Sequence, residues 1–524
     1  MTVVTAYFQL ARVGWILVRE GVVEALPSDD LPAPVLLAKK MLRPFARNRA
    51  KRKERSDRLA TAVERLGPSY VKMGQFLATR PDVVGADFAD DLSRLQDRMA
   101  FFPEDAAKAN IQGSLGRSVT DLYTSFEPPI AAASIAQVHP AIVQTDAGAK
   151  KVAVKVIRPG VRQRFSNDLK AMYLIADLQQ RFIPSARRLR PVEVTQALEQ
   201  TTRIEMDLRL EAAALSELGE NTKDDPGFRV PTVDWERTGR DVITMEWIDG
   251  IKMSDVEALK AAGHDLNAIA DTLIQSFLRH TLRDGFFHAD MHPGNLFVDD
   301  KGMIVAIDMG IAGRLGKKER RFLAEILYGF ITRDYMRVAE VHFEAGYVPS
   351  HHDKASFAQA IRAIGEPIHG QAAETISMGK LLTLLFEVTQ IFDMETRPEL
   401  VMLQKTMVVV EGVSRMLNPK FNMWKAADPV VSLWIKDNLG PKRIVTDIKD
   451  GLKAAVKLAE AAPEIAAKTE KLHADIMAMS EHGLRFDERT AEAIGKSEAR
   501  HSRTGRWALW IIAITLIYIA YQIS

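Results

Sequence analysis

The sequence predicts an α+β protein of two lobes, with a helical N-terminal extension and a C-terminal transmembrane helix. Three observations predict it. Two β-hairpin patterns, Gln137 to Ile157 and Leu296 to Ile307, stand in an otherwise helical chain. Acidic and amide residues that suit nucleotide phosphates flank the second hairpin. The stretch from Trp507 to Ser524 carries no charge.

Composition narrows the field. The 524 residues are 47% hydrophobic and 26% charged, enough apolar material for more than one core. Lys plus Arg number 70 and Asp plus Glu 68, so the net charge is only +2. That balance argues against a whole-chain polyanion binder, and no nucleic acid is expected as a partner. There is no cysteine, which excludes disulfides, thiolate nucleophiles and iron–sulfur clusters.

The N-terminal extension, 1–115, reads as helices. Tyr7 to Val18 is amphipathic and broken by Arg12, which argues against a signal; it reads as a helix that packs on the protein, with lying on a membrane the alternative. Lys39 to Arg58 is strongly basic. It reads as a solvated helix face, with anionic membrane lipids as the competing partner. Residues 116–250 form the first lobe. There Gln137–Val143 and Lys151–Ile157 flank a turn at Asp146-Ala147-Gly148. A long Ala-, Leu- and Glu-rich helix follows from Val192 to Leu218, then a strand from Asp241 to Trp247. Residues 251–445 form a mostly helical second lobe, and 446–505 a helical spacer.

The last segment, 507–524, is the expected anchor. Eighteen residues at ~1.5 Å each reach about 27 Å, close to a bilayer core of about 30 Å. Trp507, Trp510, Tyr518 and Tyr521 sit towards its ends, and Lys496, Arg500, Arg503 and Arg506 precede it. The positive-inside rule then places the globular part in the cytoplasm, beside a membrane crossed once.

The chemistry centres on the second hairpin. Asp290 precedes Asn295 by five residues, and Asp308-Met309-Gly310 follows the hairpin. Asn295 and Asp308 offer the oxygen ligands that Mg²⁺ wants, and Asp290 suits an attacking hydroxyl or water. Val152-Ala153-Val154-Lys155 ends a strand as the phosphate-binding lysine of protein kinases does. Glu211 is its expected carboxylate partner, on the long helix. Met245, Glu246, Trp247 and Ile248 are the expected hinge beside the adenine of ATP. Where kinases carry a Gly-rich loop, this chain has Ala131, Ala132, Ala133 and Ser134. Each added Cβ restricts backbone approach to phosphate, so the nucleotide is held differently. No Ala-Pro-Glu stands close after Asp308, where it would close an ordinary activation segment.

With these residues in place, the chain resembles the UbiB family of atypical kinase-like proteins. Gly67 to Gln75 matches its Lys-x-Gly-Gln helix, with Lys72 and Gln75 in the motif positions. Ala131–Ser134 matches its Ala-rich loop, and Glu205-Met206-Asp207 its Glu-x-Asp motif. His288-Ala289-Asp290, Asn295 and Asp308-Met309-Gly310 match its catalytic and metal motifs. The resemblance implies a bilobal protein-kinase-like fold whose helical extension lies over the active site, held there by Glu205 and Asp207. Asp207 and Glu211 stand four apart, so on one helix they would share a face and call for cations, with Lys155 and Lys72 the candidates and a solvated acidic face beside Arg203 and Arg209 the alternative.

The resemblance, to bacterial members in particular, further implies a Mg²⁺-dependent atypical kinase or ATPase anchored in the bacterial inner membrane and supporting ubiquinone biosynthesis. Its expected cofactors are ATP and Mg²⁺. Its expected partners are membrane lipids, isoprenoid quinone intermediates and other ubiquinone biosynthetic enzymes. The alternative is a nucleotide-binding scaffold for those enzymes that transfers no phosphate. A hydroxylase finds no support, since no dinucleotide fingerprint is present and neither His351-His352 nor His288 with His292 reads as part of an iron triad.

Overall fold

The computed structural model describes residues 3–25, 40–46, 55–78, 99–182, 190–370 and 398–440, with a few isolated positions between them. The chain divides into two units, Met1–Lys436 and Asp437–Ser524. Nearly all described elements belong to the first.

The extension is helical, as its sequence predicts. Helix α1 (Val3–Arg19) turns Val18 inwards and leaves Trp15 at the surface. Helices α2 (Arg55–Leu66) and α3 (Pro68–Ala78) meet at Gly67. Gly67 has φ +105, and an added Cβ would stand 2.2 Å from the Arg164 guanidinium, which donates to the Leu66 carbonyl at 2.9 Å. Only glycine suits both demands. Pro68 then starts α3, where its missing N–H costs nothing. Helix α4 (Glu104–Leu115) follows, ended by Gly116 in the left-handed region.

The first lobe is an antiparallel sheet with helices beside it. Strands β1 (Ser125–Phe126), β2 (Ala131–Ala132), β3 (Ala136–Thr145) and β4 (Gly148–Ile157) come first. Helices α5 (Val161–Phe182), α6 (Pro191–Glu205) and α7 (Leu208–Thr222) follow. Then come β5 (Phe228–Arg229), β6 (Val233–Asp234) and β7 (Val242–Glu246). The order is β1-β3-β4-β7-β6, with β2 on β3. Along β4 the side chains alternate. Val152, Val154 and Val156 are buried in one core with Ile111, Val143 and Val242, and Lys155 points to the other face.

The long helix expected from Val192 to Leu218 is two. Helix α6 stops at Glu205, and α7 starts beyond Asp207, which caps it by accepting from the Arg209 N–H at 3.2 Å. A short carboxylate favours the N-cap over a helix interior, and that preference breaks the run. Asp207 and Glu211 therefore do not share a helix face.

The second lobe carries a small sheet ordered β5-β11-β10-β8, from β8 (Gly250–Lys252), β10 (Leu296–Asp299) and β11 (Ile304–Ala306). Helix α8 (Leu266–Arg279) underlies it, and β9 (Phe286–His288) pairs with β12 (Ala312–Arg314). Helices α9 (Lys317–Thr332), α10 (Tyr335–Glu344), α11 (Lys354–Gly370), α12 (Pro398–Leu417) and α13 (Met423–Leu439) complete it. One continuous core runs through the extension and both lobes, including Val71, Phe165, Leu215, Phe277, Val298 and Val410.

The expected anchor and inner-membrane location need correction. Among the described residues, no helix is long and apolar enough to cross a membrane. The longer ones carry charges along their length, as α12 does with Lys405, Glu411 and Arg415. Trp507 to Ser524, and the spacer 446–505, lie outside the described residues. A single-pass anchor thus has no support in the fold.

Candidate nucleotide-phosphate site

Lys155 is the junction of the site. Its ammonium donates to both Glu211 oxygens, at 2.7 and 2.9 Å, and to Asp308 Oδ2 at 3.0 Å. Strand β4 supplies the lysine, the first turn of α7 supplies Glu211, and the segment between β11 and β12 supplies Asp308. Burial opposes the charge on Lys155, but Asp308 and Glu211 outweigh it and hold its pKa well above the usual lysine range. Burial also opposes ionisation of Asp308. The Lys155 ammonium and the Gly310 N–H, which donates to Oδ1 at 2.9 Å, more than offset that and keep it well below the usual carboxylate range. At Glu211 burial wins. Its pKa is pushed up to about 7, with Asp308 and Glu205 adding to the rise and Lys155 opposing it.

Asp290 and Asn295 sit on the loop between β9 and β10. The Asn295 amide nitrogen donates to Asp290 O and to Asp290 Oδ2, both at 3.1 Å. An ionised carboxylate only accepts, so this pairing sets the amide's orientation and turns its Oδ1 the other way. The loop is braced at both ends. The Asp290 N–H donates to His288 Nδ1 at 3.0 Å, and the Ile307 N–H donates to the Asn295 carbonyl at 3.0 Å. His288 is buried, and burial lowers its pKa, which keeps it neutral with its proton on Nε2. The donor set fits Mg²⁺. Asn295 Oδ1 and the Asp308 carboxylate are hard oxygen ligands, and no sulfur or imidazole is needed.

The Ala-rich segment is more ordered than a loop. Ala131 and Ala132 form β2, paired with Val138 and Gln137. The Ala133 N–H donates to the Ala136 carbonyl at 2.8 Å, closing the turn, and Ser134 is fully buried in it. Gln137 then holds the Phe102 backbone from both sides, at 2.9 and 3.2 Å, so the end of the extension is laced to this hairpin.

Of the four hinge residues, Met245 and Glu246 belong to β7 and pair with β4. The Glu246 carboxylate accepts from Arg229 at 3.0 Å. Trp247 and Ile248 are the first residues past the ladder. Lys151 sits over the Trp247 ring, 3.9 Å from its centre.

The extension reaches the same region. Lys72 pairs with Glu205 at 2.5 Å, both largely buried. Gln75 lies on α3 three residues on, half-buried. Asp207 takes no lysine; Arg209 forks onto it at 2.7 and 2.9 Å.

Two residues on α12 were not expected. The Thr406 hydroxyl donates to the Ala289 carbonyl at 2.9 Å. Lys405 lies in the field of Asp290. Burial of its ammonium lowers its pKa, as does the like charge of Lys72, and Asp290 opposes this. No sequence signal ties α12 to a loop so far upstream. A further cluster lies outside the site, where His352 and His351 approach Asp393 at 3.3 and 3.9 Å on an exposed surface.

Comparison with known proteins agrees with this geometry. Residues 94–342 match the ABC1 atypical kinase-like domain, and residues 361–422 match the UbiB helical domain. The probable protein kinase UbiB of Marinobacter nauticus is 37% identical over 97% of this chain and 92% of its own length. The chain belongs to the UbiB family. The probable protein kinase UbiB of Aeromonas hydrophila is likewise 37% identical, over 97% of this chain and 91% of its own. A solved complex of Rv3197 with erythromycin from Mycobacterium tuberculosis shares the kinase-like fold. It matches with a TM-score of 0.51 and 23% identity, covering 76% of this chain and 98% of that one. Lys155, Glu211, Asp290, Asn295 and Asp308 all fall in the kinase-like match of this UbiB-family chain, and Thr406 falls in its helical domain.

Proposed function

We propose that this UbiB-family chain is a Mg²⁺-dependent atypical kinase or ATPase of ubiquinone biosynthesis, acting on or around isoprenoid quinone intermediates and alongside other enzymes of that route. The observation that carries the chemistry is the junction of Lys155 with Glu211 and Asp308, 2.7 to 3.0 Å apart. Membership of the family carries the pathway.

In this reading Lys155 binds the α and β phosphates of ATP, and Glu211 orients its ammonium. Asn295 and Asp308 hold Mg²⁺, which when bound neutralises charge on the phosphate oxygens. Asn295 also fixes Asp290 through Oδ2, leaving Oδ1 to take the proton of an attacking hydroxyl or water. The oxygen of that hydroxyl or water bonds to the γ-phosphorus, the bond from the γ-phosphorus to the β–γ bridging oxygen breaks, and ADP leaves with that oxygen. Ala131 to Ser134 shape the roof of the phosphate site, and Met245 to Ile248 line the adenine end. Lys72 holds the extension against the site through Glu205, with Gln75 beside it on the same helix, and the extension there limits the acceptors that enter.

The test is ATP hydrolysis by the full chain with and without Mg²⁺, beside Asp308→Asn. Turnover that needs Mg²⁺ and falls by roughly a hundredfold or more in the variant supports an enzyme. ATP binding with no turnover, with phenolic isoprenoid acceptors supplied, overturns that reading and leaves a nucleotide-binding scaffold.

A further inference from the structure

The loop that carries Asp290 is braced from within by His288 and Asn295. A separate brace comes from outside it. Thr406, on α12, donates from Oγ1 to the carbonyl of Ala289, across 117 positions of sequence. Ala289 immediately precedes Asp290. Its own N–H donates to the Ile311 carbonyl at 3.1 Å, so the peptide before Asp290 is gripped on both sides.

Thr406 is 1% exposed and Ala289 5%, so the carbonyl has no ready access to bulk water and needs a protein donor. Thr406 Oγ1 also lies 2.9 Å from Met402 O, the usual partner of a threonine within a helix. The hydroxyl has one proton, so the two carbonyls share it, and together they keep Oγ1 placed between Met402 and Ala289.

Helix α12 is a rigid platform. Leu403, Val410 and Val413 are buried in the core, and Ser414 ties the helix to α8 through the Ala270 carbonyl at 3.3 Å. A site braced by a packed helix is held more precisely than one held by its own loop.

We propose that Thr406 is a positioning residue for Asp290, through which the helical C-terminal region sets the aim of that carboxylate. The inference rests on the reading of Asp290 as the group that takes the acceptor's proton. Misaiming a proton acceptor by a fraction of its hydrogen-bond length slows chemistry with little change in nucleotide binding.

The test compares the full chain with Thr406→Val, which keeps the shape and loses the donor, and Thr406→Ser, which keeps the donor. Three quantities are read: Mg²⁺-dependent ATP turnover, the Kd for ATP, and hydrogen exchange over 286–295. In the valine variant kcat should fall by about tenfold or more with Kd within about twofold, and the loop amides should exchange faster. The serine variant should restore both. Wild-type kcat in the valine variant overturns the proposal, and so does a serine variant as slow as the valine one. If the valine variant does not fold, Thr406→Ala takes its place. If the native chain itself turns over no ATP, the enzyme reading fails. Exchange over 286–295 then decides the inference alone, and unchanged exchange in the valine variant overturns it.

Discussion

Lys155 bridges Glu211 and Asp308 with one ammonium, and so joins the strand of one lobe to the segment between β11 and β12 of the other. Glu211 depends on that charge more than Asp308, which is 39% exposed and also accepts from the Gly310 N–H. Glu211 is almost fully buried, and Lys155 itself has only 12% of its side chain exposed. Removing one member of such a cluster leaves charge without a counterion.

Lys155→Met should therefore act twice. Stability should fall by about 3 kcal/mol, the cost of breaking a buried pair from one side. ATP affinity should fall by roughly tenfold or more through loss of the phosphate contact. Urea unfolding and ATP titration read the two effects. A variant as stable as the native chain would show that the junction is not electrostatically coupled.

Lys72→Ala removes the cation from Glu205, whose negative charge already helps raise Glu211. It also withdraws positive potential from the phosphate site. ATP affinity should fall by roughly three- to tenfold, about 0.7 to 1.4 kcal/mol. Unaltered nucleotide affinity and turnover would sink the idea that the extension reaches the site.

Stability should decline as pH falls below about 6.5, the usual pKa of an unfolded imidazole. The pKa values of His139, His280, His288 and His342 are all lowered, burial being the largest cause in each. In that window the unfolded chain binds more protons than the folded one, so protonation favours unfolding. Glu211 works the other way, since its raised pKa favours the folded state as pH drops from about 7. Burial raises Asp168 and Glu411 as well, by less than Glu211, so four imidazoles stand against three carboxyls and the loss prevails. Urea unfolding between pH 8 and pH 5 should show the loss; a flat profile would mean that the imidazoles titrate freely.

Gly313 lies opposite Phe287 across the β9–β12 pair, and an added Cβ would stand 2.2 Å from the ring. Phe287 is 1% exposed and packs edge-on against Phe277 at 5.7 Å, so it has little room to yield. Gly313→Ala should cost about 1–3 kcal/mol by overpacking. A midpoint shift in urea measures it, and a neutral result would show that the pair of strands adapts.

Much of the site was legible in the sequence because its motifs are local. The spacing of Asp290, Asn295 and Asp308 around a hairpin, and of Lys155 at the end of an alternating strand, reflects geometry set within a few residues. The hairpins were legible for the same reason. The break at Met206 and Asp207 was missed, although Asp207 is an N-cap residue type, because the apolar periodicity runs on through it. The last eighteen residues were apolar enough to suggest a membrane helix, an expectation the described fold does not support.

The sequence by itself determined which groups are candidates for phosphate chemistry. Tertiary structure alone decided their partners. Lys72 meets Glu205 and not Asp207, because the N-cap of α7 places Arg209 on Asp207 first. Thr406 reaches Ala289 because α12 packs its apolar face beneath the catalytic loop. Such contacts join residues far apart in sequence. They depend on how helices stack in a shared core, and no local spacing records that.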